Sequence, residues 1–402
     1  MKTKIPYIFS AIILIPLFVL FCFFDNPAGR TGASFMNIFY AAPGWLTPVL
    51  LVLSVVAVVL FIILLVNEKN GDTGIREQNN NVLLRYAFFM IVVALLQLFG
   101  ANIIRNLPFE LSPTTKSTLS FIMVAVSVDL IGFPLLFLLL KKVPSTPVTK
   151  QKIKFPQYLC YMLMSAGVVL VGAIAGAAVH TIICAPFGGA SIELQKMLMD
   201  SAPLPRILVA GILAPIFEEL IFRKLLIDRI NKYGAFFAIM VSGLTFGLFH
   251  GNFQQVFFAT LLGFLFAHLY LKTGRVELTI GLHMMVNLAT TVVTNTLLQK
   301  IYAVNPNLDS SAEYLTAHPE VATYFGLLGL WIMALGAVCV AGIIVLIVFL
   351  ATKKFVLAKK DAEPSKSEAL KAFFTGKYSI LFFLIITGLF LLSYLPVVLH
   401  MQ

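Results

Sequence analysis

Long apolar stretches recur along the chain, each bounded by a short polar or charged segment. A run of roughly 18 or more apolar residues is long enough to cross a ~30 Å hydrocarbon core as a helix. Eleven spans are predicted, at about 7–24, 47–66, 86–104, 118–140, 158–184, 206–227, 234–250, 253–271, 276–298, 324–352 and 379–399. Two fit poorly: 206–227 carries charge, and 234–250 is short. The weaker alternating signal of a membrane β-barrel is missing. The pattern therefore predicts an all-α, polytopic membrane helical bundle of about 11 transmembrane helices.

Composition agrees. Of 402 residues, 59% are hydrophobic and 12% charged, more apolar side chain than a soluble fold can cover. Cys22, Cys160, Cys184 and Cys339 lie far apart with no metal or disulfide spacing and read as apolar filler. The first apolar run follows Lys2 and Lys4 but lacks a small-residue cleavage site, and it is expected to stay as an uncleaved first span.

The net charge of +11 bears on topology. With the N-terminus in the cytoplasm, only Arg30, Arg105, Lys116, Lys196, Arg206 and Lys300 of the 29 basic residues fall outside. The rest face the cytoplasm, as membrane insertion favours, and they also face anionic lipid. Membrane lipid is thus an expected partner, and nucleic acid is not. The basic loop at 351–377 is expected to be solvated.

Polar chemistry gathers in a few spans. In "APIFEELIFRKLL", Glu219 and Arg223 stand i, i+4 and so share a helix face, the acid leading. They are expected to neutralise each other, at the least as a packing ion pair. Glu218 is turned about 100° away and has no partner in its own helix. Charge inside a bilayer is costly, so these residues need a reason to be there. "FGLFH" places Phe246 and His250 at i, i+4, and "HMMVN" does the same for His283 and Asn287. At 1.5 Å per residue from the cytoplasmic end, Glu218 and His250 lie roughly 20 and 24 Å deep, His283 and Asn287 roughly 12 and 18 Å. Three helices thus bring an acid, two imidazoles and an amide to overlapping depths. These groups suffice for hydrolysis: an acid activates water, and imidazole or amide donors hold an oxyanion. His268, His180 and Asp129 are expected to make interhelical hydrogen bonds away from this group.

The three motifs, EExxxR, FxxxH and HxxxN in that order, resemble those of the CAAX prenyl protease and bacteriocin-processing family, also called CPBP or Abi. The run "LYLKTGRVELTIGLHMMVN", with a Thr-Gly turn before its helix, is similar as well. The resemblance covers about 156–299. It implies an intramembrane endopeptidase acting on a membrane-associated peptide or protein, of CAAX type or from peptide processing. By that resemblance Glu218 activates water with His250 assisting, His283 and Asn287 stabilise the oxyanion, and Glu219 and Arg223 shape the site. It further implies a bacterial plasma membrane location, with 1–155 and 300–402 as accessory regions of four and two spans. The family is often labelled metalloprotease. A catalytic zinc takes three protein ligands, and the candidates here are His250, His283 and Glu218; a glutamate-bound water needs no metal, and that chemistry is favoured. The alternative is a non-catalytic membrane immunity or partner-binding protein that keeps the motifs as a polar core. Transport would call for a repeated motif in the two halves, and none is present. Two packing expectations complete the reading: Gly172 and Gly176 at GxxxG spacing allow close helix approach, and Pro215 frees a carbonyl near the acids.

Overall fold

A computed structural model of the chain describes residues 46–70, 75–105, 109–185, 199–305, 309–355 and 377–394, with a few isolated positions between them. The expected first span, 7–24, and most of the 351–377 loop lie outside the described residues. Among the described residues the fold is helical, with no strand. In chain order the helices are α1 (Leu46–Asn70), α2 (Ile75–Arg105), α3 (Pro113–Leu140) and α4 (Phe155–Cys184). Then come α5 (203–230), α6 (Ala235–Phe249), α7 (Phe253–Thr273) and α8 (Val276–Val304). The last are α9 (Ala312–Ala317), α10 (Pro319–Ala351) and α11 (Lys377–Leu392).

Six helices among the described residues are long and apolar enough to cross a membrane: α3, α4, α7, α8, α10 and the Asn81–Arg105 part of α2. The apolar parts of α1, α6 and α11 are shorter. The expected eleven spans therefore differ from the helices in two instructive places. The span expected at 234–250 is a 15-residue helix, about 22 Å long, and it is enclosed by its neighbours. The span expected at 206–227 is a helix interrupted by two wide turns, Ile207–Leu213 and Leu220–Leu225.

Proline accounts for the first interruption. Ala214 N–H donates to Val209 O, five residues back, and in that register the next donor would be Pro215, which has none. The carbonyl of Ala210 is left over. The same event occurs in α3: the wide turn Val126–Gly132 ends with Phe133 N–H donating to Val128 O, immediately before Pro134. Such π-type turns relieve the clash of a proline ring with the preceding turn and rotate the side chains beyond it.

Small residues set the close contacts. A Cβ on Gly172 would collide with the backbone of Phe258, and one on Gly176 would lie 2.6 Å from Phe253 O, so the GxxxG pair of α4 seats the first turns of α7. A Cβ on Gly263 would lie 2.6 Å from Gly243 Cα, so α6 and α7 cross backbone to backbone. Gly274, at φ +61°, ends α7, and its N–H donates to Tyr270 O at 2.7 Å.

Two apolar cores result. One joins α1, α2, the end of α3, the second half of α5, α6 and α11 around Tyr86, Phe88, Phe89 and Phe222. The other joins α4, α7 and α8 around Tyr161, Phe266 and Val286. The motif residues of α5 stand between them. The outer face of α10 exposes Leu330, Met333 and Ile347, an apolar surface suited to lipid. The chain is an integral membrane protein.

Candidate active site

The site begins at the turn where α5 resumes after Pro215. Glu219 and Arg223 are fully buried, with Arg223 Nε 3.0 Å from Glu219 Oε2. The contact is one of charge, since neither atom has hydrogen-bond alignment. It forms as the i, i+4 spacing requires, even though a wide turn starts at Leu220. The guanidinium lies over the Phe246 ring at 4.6 Å and over Phe266 at 5.7 Å, and Nη1 donates to Ser242 Oγ at 3.5 Å. Two aromatic faces and a carboxylate thus replace the water that a buried cation gives up.

His283, from α8, joins the two acids. Its Nδ1 stands 3.0 Å from Glu219 Oε1, and its Nε2 3.7 Å from Glu218 Oε2. The first is a hydrogen bond in which the imidazole N–H donates; the second is too long for one. Glu218 Oε2 is buried and has no hydrogen-bond partner among the described residues. Glu218 therefore presents an unused acceptor beside a ring that its neighbour holds in place.

His250 ends α6 and leads into a tight turn: Gly251 takes φ +66°, and Asn252 caps α7 by accepting from Gln255 N at 2.9 Å. Its Nδ1 pairs with Phe246 O at 2.8 Å, which leaves Nε2 free of that bond. The first turn of α7 is tied to α11, where Phe253 N–H donates to Tyr394 Oη at 2.6 Å. Phe246 earns its place in the motif by packing: its ring centre is 5.0 Å from that of His250 and 5.6 Å from that of His283. Asn287 donates through Nδ2 to Ala210 O at 2.9 Å. It thereby satisfies the carbonyl that Pro215 leaves open, and one amide N–H and the side-chain oxygen remain for other work.

Of the seven motif residues, Glu218, Glu219, Arg223, Phe246, His250 and His283 thus form one connected group, Asn287 reaches the same helix at Ala210, and three expectations change in detail. Glu219, expected only to shape the site, makes the direct bond to His283. Asn287, expected at the oxyanion, holds the backbone of α5 at Ala210. Asp129, expected away from the group, is buried, lies within the electrostatic reach of Glu218, and its Oδ2 has no hydrogen-bond partner among the described residues. Sequence reasoning also missed Phe266 and Tyr86. The Tyr86 hydroxyl donates to Ile221 O at 2.6 Å, in the second wide turn of α5. His268 pairs across helices with Tyr161 at 2.9 Å, as expected. His180 sits with Cys184 and Tyr394, apart from the acids.

The metal candidates do not close into a site. Among the described residues no group of three His, Cys, Asp or Glu side chains is arranged to hold a metal ion. His283 commits Nδ1 to Glu219, and His250 commits Nδ1 to Phe246 O.

Known proteins bear on this geometry. Residues 200–289 match the family described as "Type II CAAX prenyl endopeptidase Rce1-like". The chain is 36% identical over 103 residues to "Putative membrane peptidase YdiL" of Bacillus subtilis (strain 168), over 25% of this chain and 42% of that protein. It is 25% identical over 210 residues to "Membrane-embedded CAAX protease MroQ" of Staphylococcus aureus (strain USA300), over 49% of this chain and 84% of that protein. The chain thus spans less than half the length of the first of these relatives. No solved structure matches it. The family and the names of both relatives support an intramembrane protease. The stretch 200–289, which matches the Rce1-like family, contains Glu218, Glu219, Arg223, His250, His283 and Asn287.

Proposed function

We propose that the chain is an intramembrane endopeptidase that hydrolyses a peptide bond of a membrane-associated protein or peptide. Glu218 is the base. Its buried, unpartnered Oε2 takes a proton from water as the water attacks the scissile carbonyl, and the resulting carboxyl returns that proton to the leaving amine. His283 is held by Glu219 through Nδ1–H, and with a second hydrogen on Nε2 it donates to the oxyanion, as the remaining amide N–H of Asn287 does. His250 gives its Nδ1–H to the Phe246 carbonyl, so its Nε2 is an acceptor and assists Glu218 by accepting from the same water. Arg223 keeps Glu219 ionised, so that Glu219 fixes the ring of His283. No step needs a metal.

The observation that carries this reading is the His283 bridge, 3.0 Å to Glu219 and 3.7 Å to Glu218. A polar core kept only for packing would satisfy both acids; here one is satisfied and the other is left open. The substrate class follows from similarity: a CAAX-type C-terminus, as the family description and the name of MroQ suggest. The N-terminus faces the cytoplasm of a bacterial plasma membrane, and the chain crosses it about eleven times. Residues 156–299 form the core, flanked by accessory regions 1–155 and 300–402.

The test uses the full-length protein in proteoliposomes and an internally quenched peptide ending in a CAAX-type sequence, with and without a farnesyl group. Glu218→Gln should lower kcat by about 10²–10⁴ while the melting temperature stays near that of the wild type. Wild-type cleavage by Glu218→Gln would overturn the assignment and leave the immunity or partner-binding reading.

A further inference from the structure

The wide turn of α3 brings a third acid to the site. Asp129 and Phe133 stand i, i+4 on α3 and so face the same way. The Phe133 ring meets the ring of Phe217, the residue before Glu218, edge on at 5.1 Å. Asp129 therefore lies one turn from the place where α3 packs on the turn of α5 that carries Glu218. Against the same turn, α2 sets Phe89 and Val93 beside Gly132. Asp129 is 4% exposed, and Asp129 Oδ2 and Glu218 Oε2 are both buried acceptors without a donor among the described residues.

Such a carboxyl is a structural cost. A buried polar group without a partner destabilises a fold, and a smaller apolar side chain would serve the packing better. A helix that carries this cost where it packs on a turn with a second open acceptor has a use for both. One water between them gives each acid a donor.

We propose that Asp129 is a positioning residue of the site: with Glu218 it holds the attacking water, from the side of α2 and α3. The water donates one hydrogen toward each carboxyl group, so its lone pair is directed away from both, toward the substrate carbonyl. When Glu218 accepts its proton, the contact to Asp129 keeps the oxygen from drifting as it attacks. The inference rests on the peptidase reading above and adds to it a residue from outside the matched stretch 200–289.

The test compares Asp129→Asn, Asp129→Val and Glu218→Gln in full-length protein, with the quenched CAAX-type peptide and thermal unfolding in detergent. Asp129→Val should lower kcat about 10- to 100-fold, the size of effect expected from a misplaced reactant, with KM within about twofold. Its melting temperature should stay level or rise. Asp129→Asn keeps a hydrogen-bonding group of the same shape and should recover most of the lost kcat. A melting temperature that falls in Asp129→Val overturns the proposal, because it marks Asp129 as a packing residue. So does a wild-type kcat in Asp129→Val when Glu218→Gln is inactive, an outcome that leaves the peptidase reading standing. Wild-type cleavage by Glu218→Gln removes both. If the peptide resists all forms, the melting temperature decides: a rise in Asp129→Val supports the proposal and a fall overturns it.

Discussion

Two successive stretches of α5 treat buried polar groups in opposite ways. Around 214–219 the helix leaves Glu218 Oε2 without a donor among the described residues, as α3 leaves Asp129 Oδ2. Two turns later, around 224–231, every polar side chain has at least one partner, although Arg229 Nε itself has none among the described residues. Asp228 accepts from the Tyr270 hydroxyl at 2.7 Å and from Lys224 at 2.6 Å, and its backbone carbonyl accepts Thr146 N–H at 2.6 Å. Asn231 bonds Thr146 twice, at 2.7 and 2.9 Å, and Arg229 donates to Leu225 O and Leu140 O, both at 3.0 Å. The second stretch is a clasp that fastens the 141–154 connection and the end of α7 to α5. The difference teaches that satisfaction, more than burial, separates structural polarity from reactive polarity in this helix.

Arg223 is the sharpest way to break the contrast, because it belongs to both regimes. Arg223→Ala would strand Glu219 as a buried charge, at a cost of about 3–5 kcal/mol. Unfolding in detergent should show that loss, and cleavage should vanish with it. Arg223→Lys should rescue little, since a point charge cannot stack on Phe246 and Phe266 as a planar guanidinium does. Next comes the clasp. Asp228→Ala leaves the Tyr270 hydroxyl and a loop amide short of an acceptor and should cost about 1–3 kcal/mol. Cleavage per folded molecule should stay within about twofold of wild type, the reverse of the pattern expected for Glu218→Gln. Smallest of all is Lys224→Ala. The ammonium is 42% exposed, so its i, i+4 bridge to Asp228 is worth no more than about 0.5 kcal/mol. A shift in melting temperature near the detection limit is expected, and a large one would mean that the clasp depends on the cation.

How far these regimes could be read from sequence depends on whether one helix or several decide them. The Glu219–Arg223 pair needs only helical periodicity, and it was legible. The meeting of Glu218, His250, His283 and Asn287 was legible from shared depth, because a membrane forces polar groups at one level to find each other. The wide turns were not. Pro215 announced a free carbonyl, but its identity depends on whether the helix tightens or widens there, and neighbouring helices decide that. Asp129 was missed for the same reason: depth says nothing about lateral direction. One signal was present. Asp129 precedes Pro134 by five residues, the spacing by which Ala210 precedes Pro215, and the two wide turns follow that spacing. Of the eleven expected spans, those at 206–227 and 234–250 already stood apart by charge and shortness; there α5 is interrupted by wide turns and α6 is a 15-residue helix.

Tyr86 carries a consequence of its own. Its hydroxyl, from a helix more than a hundred residues upstream, closes the Ile221 carbonyl inside the Rce1-like stretch, and its ring lies in the apolar core that α5 and α6 share with α1, α2 and α11. The segment recognisable by likeness to other proteins is therefore smaller than the unit that packs as one body. A fragment trimmed to the recognisable part would lose one whole wall, and a functional transplant of this fold must carry the upstream helices with it.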